Sequence, residues 1–158
     1  MGRVSGRGIA MAYDLSIFPS TYGEATDVDF DNSGGSFVSG PRLVAQKFVT
    51  FLLAQVGSVL HTAEYGTDFV YDARLGTLRN EAELQLAFAS AAASLTDYQL
   101  EVEQTTDADS TVSEDELFQS AELNSFSYVD ERIVLDLTVI TRAGTAINIS
   151  LPVMIVEL

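Results

Sequence analysis

The chain has no cysteine, which excludes disulfide bonds, thiolate catalysis and zinc held by sulfur, and fits a reducing compartment. Histidine is nearly absent: His61 is the single one. Glu64 stands three residues on, but no nucleophile or metal-ligand cluster accompanies the two. A loop histidine that packs or hydrogen-bonds is therefore the simpler reading than an acid–base pair. Positive charge is scarce, with 8 Lys and Arg against 23 Asp and Glu and a formal net charge of −15. The basic residues are dispersed and form no patch, so a phosphate backbone would be repelled and nucleic-acid binding is not expected. No apolar run approaches the roughly 18 residues of a membrane span. The basic N-terminus, Met1 to Gly8, is followed by no apolar segment of the kind a secretory signal requires.

What is present is enough for one folded domain. A length of 158 residues with 47% hydrophobic content supports a single core and argues against general disorder. Residues 1–39 are rich in Gly, Ser and Asp and lack sustained periodicity. They read as an extended N-terminal arm, ordered against partners or against the domain, and residues 40–158 as the domain itself. Within the arm, Asp27-Val28-Asp29-Phe30-Asp31 has the opening spacing of a calcium loop. Positions six and twelve would then have to be Gly and Glu, and they are Asn32 and Val38. No metal and no cofactor is expected.

The C-terminal third carries the clearest pattern. Ile133, Leu135, Leu137 and Val139 alternate with Val134, Asp136, Thr138 and Ile140; after Ala143-Gly144, Thr145, Ile147, Ile149, Leu151, Val153 and Ile155 alternate again. Period two of this length, broken once, predicts an antiparallel hairpin with one buried face. Pro152 cannot donate to a ladder, which predicts an edge or bulged final strand whose free N–H and C=O groups another chain could use.

Two helices precede it. The first is predicted from Pro41, capped by Ser39 or Gly40, through an apolar stripe of Leu43, Val44, Phe48, Phe51, Leu52 and Val56 to Gly57. The second has the capping-box spacing Asn80 to Glu83, then Leu84, Phe88, Ala91 and Leu95, ending near Thr96-Asp97. Alternation of Tyr98, Leu100 and Val102 with Gln99, Glu101 and Glu103 predicts a strand. Leu123 to Val129 predicts another, turning at Asp130-Glu131 into the hairpin. Between them, Thr105 to Glu116 is an acidic loop, either a solvated surface or a face that meets a basic partner. The fold class is α+β: two main helices packed on a small, mostly antiparallel sheet that ends in a C-terminal hairpin.

The segment Gly40 to Phe69, GPRLVAQKFVTFLLAQVGSVLHTAEYGTDF, resembles the baseplate wedge, or sheath initiator, family of contractile phage tails, often called gp25-like. Relatives of that family occur in type VI secretion baseplates. In the family an amphipathic helix ends at a Gly, and an acidic-aromatic-Gly element follows at fixed spacing. Gly57 and Glu64-Tyr65-Gly66 match it, and the order of later elements agrees over residues 40–157. Many members carry Glu-Arg after the Gly and Pro before the acidic residue, where this chain has Ser58-Val59 and Ala63.

The resemblance implies a structural virion component of the tail baseplate, assembled in the host cytoplasm, with no enzymatic activity. Its partners would be the tail sheath protein and other baseplate wedge subunits, with the tail tube or hub as a further neighbour, and six copies would ring the tube. Sheath strands would add to its sheet. The expected partner-binding residues are Gly57, Glu64, Tyr65 and Gly66 of the family element, and Ile147, Ile149 and Pro152 of the final strand. Two other readings compete. One is a soluble regulatory module of the same fold, of the anti-adaptor type, that sequesters a signalling protein. The other is an acidic glycosidase using Glu64 with a second carboxylate, although no pair at a defined separation is singled out.

Overall fold

The computed structural model describes residues 14–15, 26–27, 37–78, 80–105 and 112–154. The elements are β1 (Asp14–Leu15), β2 (Thr26–Asp27), β3 (Phe37–Val38), α1 (Pro41–Leu53), α2 (Phe69–Arg74), α3 (Glu81–Thr105), a 3-10 turn at Glu114–Glu116, β4 (Phe118–Val129), β5 (Arg132–Thr141) and β6 (Ala146–Met154). The architecture is α+β. The main sheet has the order β2-β6-β5-β4, in which β4, β5 and β6 form an antiparallel meander and β2 joins β6 in parallel. The calcium-like run from Asp27 lies, apart from Asp27 itself and the pair Phe37-Val38, outside the described residues, as does most of the predicted arm. The described pieces of that arm are paired: β1 with β3, and β2 with β6.

Proline sits in the first turn of α1, where its missing N–H has no helical acceptor to lose. Leu43, Val44, Ala45, Phe48, Val49, Phe51 and Leu52 are all buried, so the apolar surface is a wide band and α1 is a core helix. It ends at Ala54, short of the predicted Val56-Gly57. Ala54 is extended (φ −75°, ψ 129°), and its carbonyl accepts the Thr67 N–H at 2.7 Å. That bond turns the chain away from the helix axis and leaves Val56 exposed.

The second predicted helix, α3, starts as expected: the Glu83 N–H donates to the Asn80 Oδ1 at 2.9 Å. It does not stop at Thr96-Asp97, and the strand predicted over residues 98–103 is its last two turns. Tyr98 continues the buried row Leu84, Phe88, Ala91, Leu95, where spacings of four and three alternate. Leu100 and Val102, which supplied the strand-like alternation, are both 43% exposed. The short helix α2 lies in a stretch read as loop; it buries Phe69 and Ala73, one helical turn apart.

Both long helices cover one face of the sheet, and Phe48 is the junction. Its ring stacks on Phe118 of β4 (5.4 Å, 4°) and meets Phe88 of α3 edge to face (5.5 Å, 70°). Ile133, Leu135, Leu137, Val139, Ile149, Leu151 and Val153 complete the core beneath, so the predicted hairpin and its buried face are present. The Asp130-Glu131 turn is present too, with φ of 45° and 61°, as a two-residue hairpin turn of the primed type requires. Strand β4 starts at Phe118, earlier than predicted. Register shifts between Phe118 and Ser120 and between Leu123 and Ser125 space its core-facing residues as 118, 121, 123, 126 and 128. Each bulge adds one residue, and the period of two is lost from the sequence.

Pro152 determines which backbone groups point where. The β5–β6 register is unbroken from Arg132↔Met154 to Ile140↔Ala146, with Pro152 opposite Val134. Having no N–H, Pro152 occupies a non-hydrogen-bonded pair, its nitrogen turned away from β5. By alternation, Ala146, Asn148 and Ser150 also direct their backbone groups outward, while Val134, Asp136, Thr138 and Ile140 bond across to β4. The outward positions of β4 are then Phe118, Ala121, Leu123, Phe126 and Tyr128. Three bonds agree with this parity. Thr141 donates to the Thr145 carbonyl at 2.9 Å, and at Phe118 the Gln99 amide of α3 takes both outward groups. The Phe118 N–H donates to Gln99 Oε1 at 2.8 Å, and Gln99 Nε2 donates to the Phe118 carbonyl at 3.1 Å.

The prediction that β6 is an edge or bulged strand needs correction. Its register is regular, and β2 lies outside it at Thr26↔Ile149 and Asp27↔Ser150. The pairing falls where Asn148 and Ser150 offer outward donors, just before Pro152, which offers none.

Gln99→Ala removes both bonds to Phe118 and leaves two half-buried backbone groups without them. Its expected effect is a loss of about 1–3 kcal/mol of stability, read from the midpoint of chemical denaturation at unchanged slope.

Candidate partner-binding site

The Gly57–Gly66 group lies on the α1–α2 loop, a projection pinned at its base. Thr67 is the pin. Besides its N–H bond to Ala54, its hydroxyl donates to the Leu52 carbonyl at 2.8 Å and accepts the Phe69 N–H at 3.3 Å. One side chain thus satisfies a last-turn carbonyl of α1 and a first-turn N–H of α2, groups that a helix leaves without internal partners. Gly66, at φ 108°, lies so close to the end of α1 that a Cβ there would stand 2.4 Å from the Ala54 oxygen.

Tyr65 is the wedge between α1 and α3. Its ring meets Phe51 at 5.1 Å and Tyr98 at 5.5 Å, both edge to face, and its hydroxyl lies 3.4 Å from Thr50 Oγ1. The family-like element Glu64-Tyr65-Gly66 therefore divides. Tyr65 and Gly66 build the loop, and Glu64 and Gly57 are exposed on it. His61 is exposed too, with φ 70°, and no hydrogen bond or ion pair joins it to Glu64.

Between these anchors the backbone closes three successive turns: Ser58 N–H to the Gln55 carbonyl, Thr62 to Val59, and Tyr65 to Thr62. The turns hold apolar side chains out in water, with Leu60 82%, Val56 45% and Val59 39% exposed. Burying such groups is energetically favoured, and here they stand in water.

The strand group behaves differently. Ile147 is half-buried at the margin of the core, and Ile149 is 2% exposed within it. The Ile149 side chain is therefore spent on the core, and the backbone groups that face β2 are those of its neighbours Asn148 and Ser150. Pro152 is half-buried opposite Val134. Among the described residues, no hydrogen bond, ion pair or ring contact joins this group to the loop. The outer face of the sheet carries a polar row: Asn124 Nδ2 donates to Thr138 Oγ1, which donates to Asn148 Oδ1, each at 2.8 Å. Ser125 donates to Asp136 Oδ2 at 2.8 Å beside it.

The acidic stretch is partly built into the fold. Residues 106–111 lie outside the described set. The turn at Glu114–Glu116 is tied to the β5–β6 connection: Ala143 N–H to the Glu114 carbonyl, Arg142 N–H to that of Leu117, and Thr145 Oγ1 to Asp115 Oδ1 at 2.7 Å. Arg142 also pairs with Glu103 at 2.9 Å. Among the described residues, no group of three or more His, Cys, Asp or Glu is placed to hold a metal ion.

Sequence reasoning missed Thr67, Gln99 and β2. A Thr between Gly66 and the start of a helix is a readable capping signal. No local pattern marks Gln99 or β2, because their partners lie far along the chain.

Gly66→Ala is expected to lower stability by roughly 2 kcal/mol or more, since the clash is with backbone and φ is positive. Thermal denaturation beside Ala63→Gly, at an exposed position on the same loop, checks it; a change within about 0.5 kcal/mol would contradict the close approach.

Comparison of the chain with protein-family models, with curated proteins and with solved structures finds no match in any of the three.

Proposed function

We propose that this chain is a structural baseplate component of a contractile phage tail, or of a phage-like injection particle, and that it initiates the sheath by accepting sheath strands onto its sheet. The observation that carries this reading is strand addition within the chain itself. β2, from near the N-terminus, docks alongside β6, the last strand described, through two residues in parallel register. A sheet that takes in a remote segment by main-chain pairing uses the same recognition as β-augmentation by a partner. The order of elements supports it: a core helix ending at a clamped loop, a second long helix, then an antiparallel meander, as the resemblance over residues 40–157 implies. The ordered apolar tip of the α1–α2 loop is a second surface, suited to the neighbouring wedge subunits. Six copies around the tube then give the first sheath ring six equivalent sites. The charge of −15 favours partners with basic contact surfaces.

Deleting the gene from a tail-producing strain is the direct test. Baseplates and tubes without sheath are the expected product, with sheath restored by supplying the chain in trans. Normally sheathed, contractile tails in the deletion strain would rule the reading out and favour the soluble regulatory module.

A further inference from the structure

Beyond β6 and beyond β4 the sheet has two margins, and the chain itself places β2 against the middle of β6. On β6, Asn148 and Ser150 lie beside β2, and Pro152 has no donor to give. A partner strand would find only the ends of that edge free. β4 differs. Gln99 satisfies the outward groups of Phe118. Ala121, Leu123, Phe126 and Tyr128 also direct N–H and C=O away from β5, and among the described residues no strand lies beyond them. Two of the usual guards of an exposed edge are missing as well: β4 contains no Lys and no Pro, Glu122 is its single charged residue, and its two bulges both lie before Ser125.

The geometry points to the outer edge of β4, centred on Phe126 to Tyr128, as the seat of an extended terminal arm of the sheath subunit; this rests on the strand-addition reading above. The bulges limit the register. An added strand cannot stay in step with all of β4 across the shift between Leu123 and Ser125. The uninterrupted stretch from Ser125 to the Asp130-Glu131 turn is the docking segment.

Side-chain chemistry defines the arm. On the helix side, its alternate residues would lie against Phe126 and Tyr128, whose rings meet edge to face at 5.8 Å while Tyr128 remains 59% exposed. That surface takes apolar residues. On the other side lie Ser125 and Ser127, with Asp136, paired to Ser125, and the acidic turn close by. That surface takes Lys or Arg. The arm is therefore an extended segment in which apolar and basic residues alternate.

Residue-resolved amide exchange of the full chain, free and with the sheath protein of the same particle, tests the assignment. Slowed exchange at Phe126 and Tyr128 is expected, with Ala146 on β6 unchanged. Tyr128→Pro deletes an outward N–H and keeps the β4–β5 ladder, whereas Tyr128→Val shortens the side chain and keeps the N–H. Sheath affinity of the Pro variant is expected to be about tenfold or more below that of the Val variant, with both variants folded by circular dichroism. Equal affinities, or protection confined to β6 or the α1–α2 loop, would overturn the edge assignment and leave the sheath reading standing. No binding by the wild type would overturn both.

Discussion

Phe48 is the contact on which the other packing depends. It comes from a helix buried over most of its surface, stacks on the first residue of β4 and meets α3 through Phe88. Full burial of one such ring stabilises by about 1.5–3 kcal/mol, but its position matters more than that figure. It sets how far α1 sits from the sheet and brings α3 over β4. There Gln99 can reach the Phe118 backbone, and Tyr98 can close the aromatic group of Phe51 and Tyr65. With α1 and α3 held on one face, the sheet leaves its polar outer face and its two margins uncovered by helix among the described residues, and the α1–α2 loop projects beside them.

Those surfaces are set by a few local constraints. Pro152 carries no N–H, and that absence propagates through the hydrogen-bond alternation of three strands until it specifies the outward groups of β4. Gln99 and β2 then close parts of the two edges from within. On the loop, Thr67 and Gly66 fix the base, so the exposed leucine and valines at the tip are presented in one arrangement. The groups left open on the described surface are thus set by backbone accounting and by a pinned loop.

Much of this was legible from residue order. The hairpin after Arg132, its buried face, the turn at Asp130-Glu131 and the start of both long helices follow from period, capping and turn chemistry that act within a few residues. The failures have one physical source, tertiary partners. Tyr98, Leu100 and Val102 alternate like a strand, yet Tyr98 is held in helical register by Phe51 and Tyr65. Two bulges, one before Leu123 and one just after it, broke the alternation of β4. The end of α1 was drawn back by a bond from Thr67, thirteen residues beyond Ala54 in sequence. For the candidate site, Glu64-Tyr65-Gly66 was found as a unit by resemblance, and only the fold separates the exposed Glu64 from the structural Tyr65 and Gly66. Ile149 was placed correctly on one face, but that face is the core.

The central claim is that the chain sits where sheath meets baseplate. Labelling intact contractile particles with antibody to this chain, and imaging them by electron microscopy, tests it most directly. The account predicts label confined to a ring at the sheath–baseplate junction. Intact particles without label there, when dissociated particles show the epitope to be accessible and the chain to be absent, would contradict it.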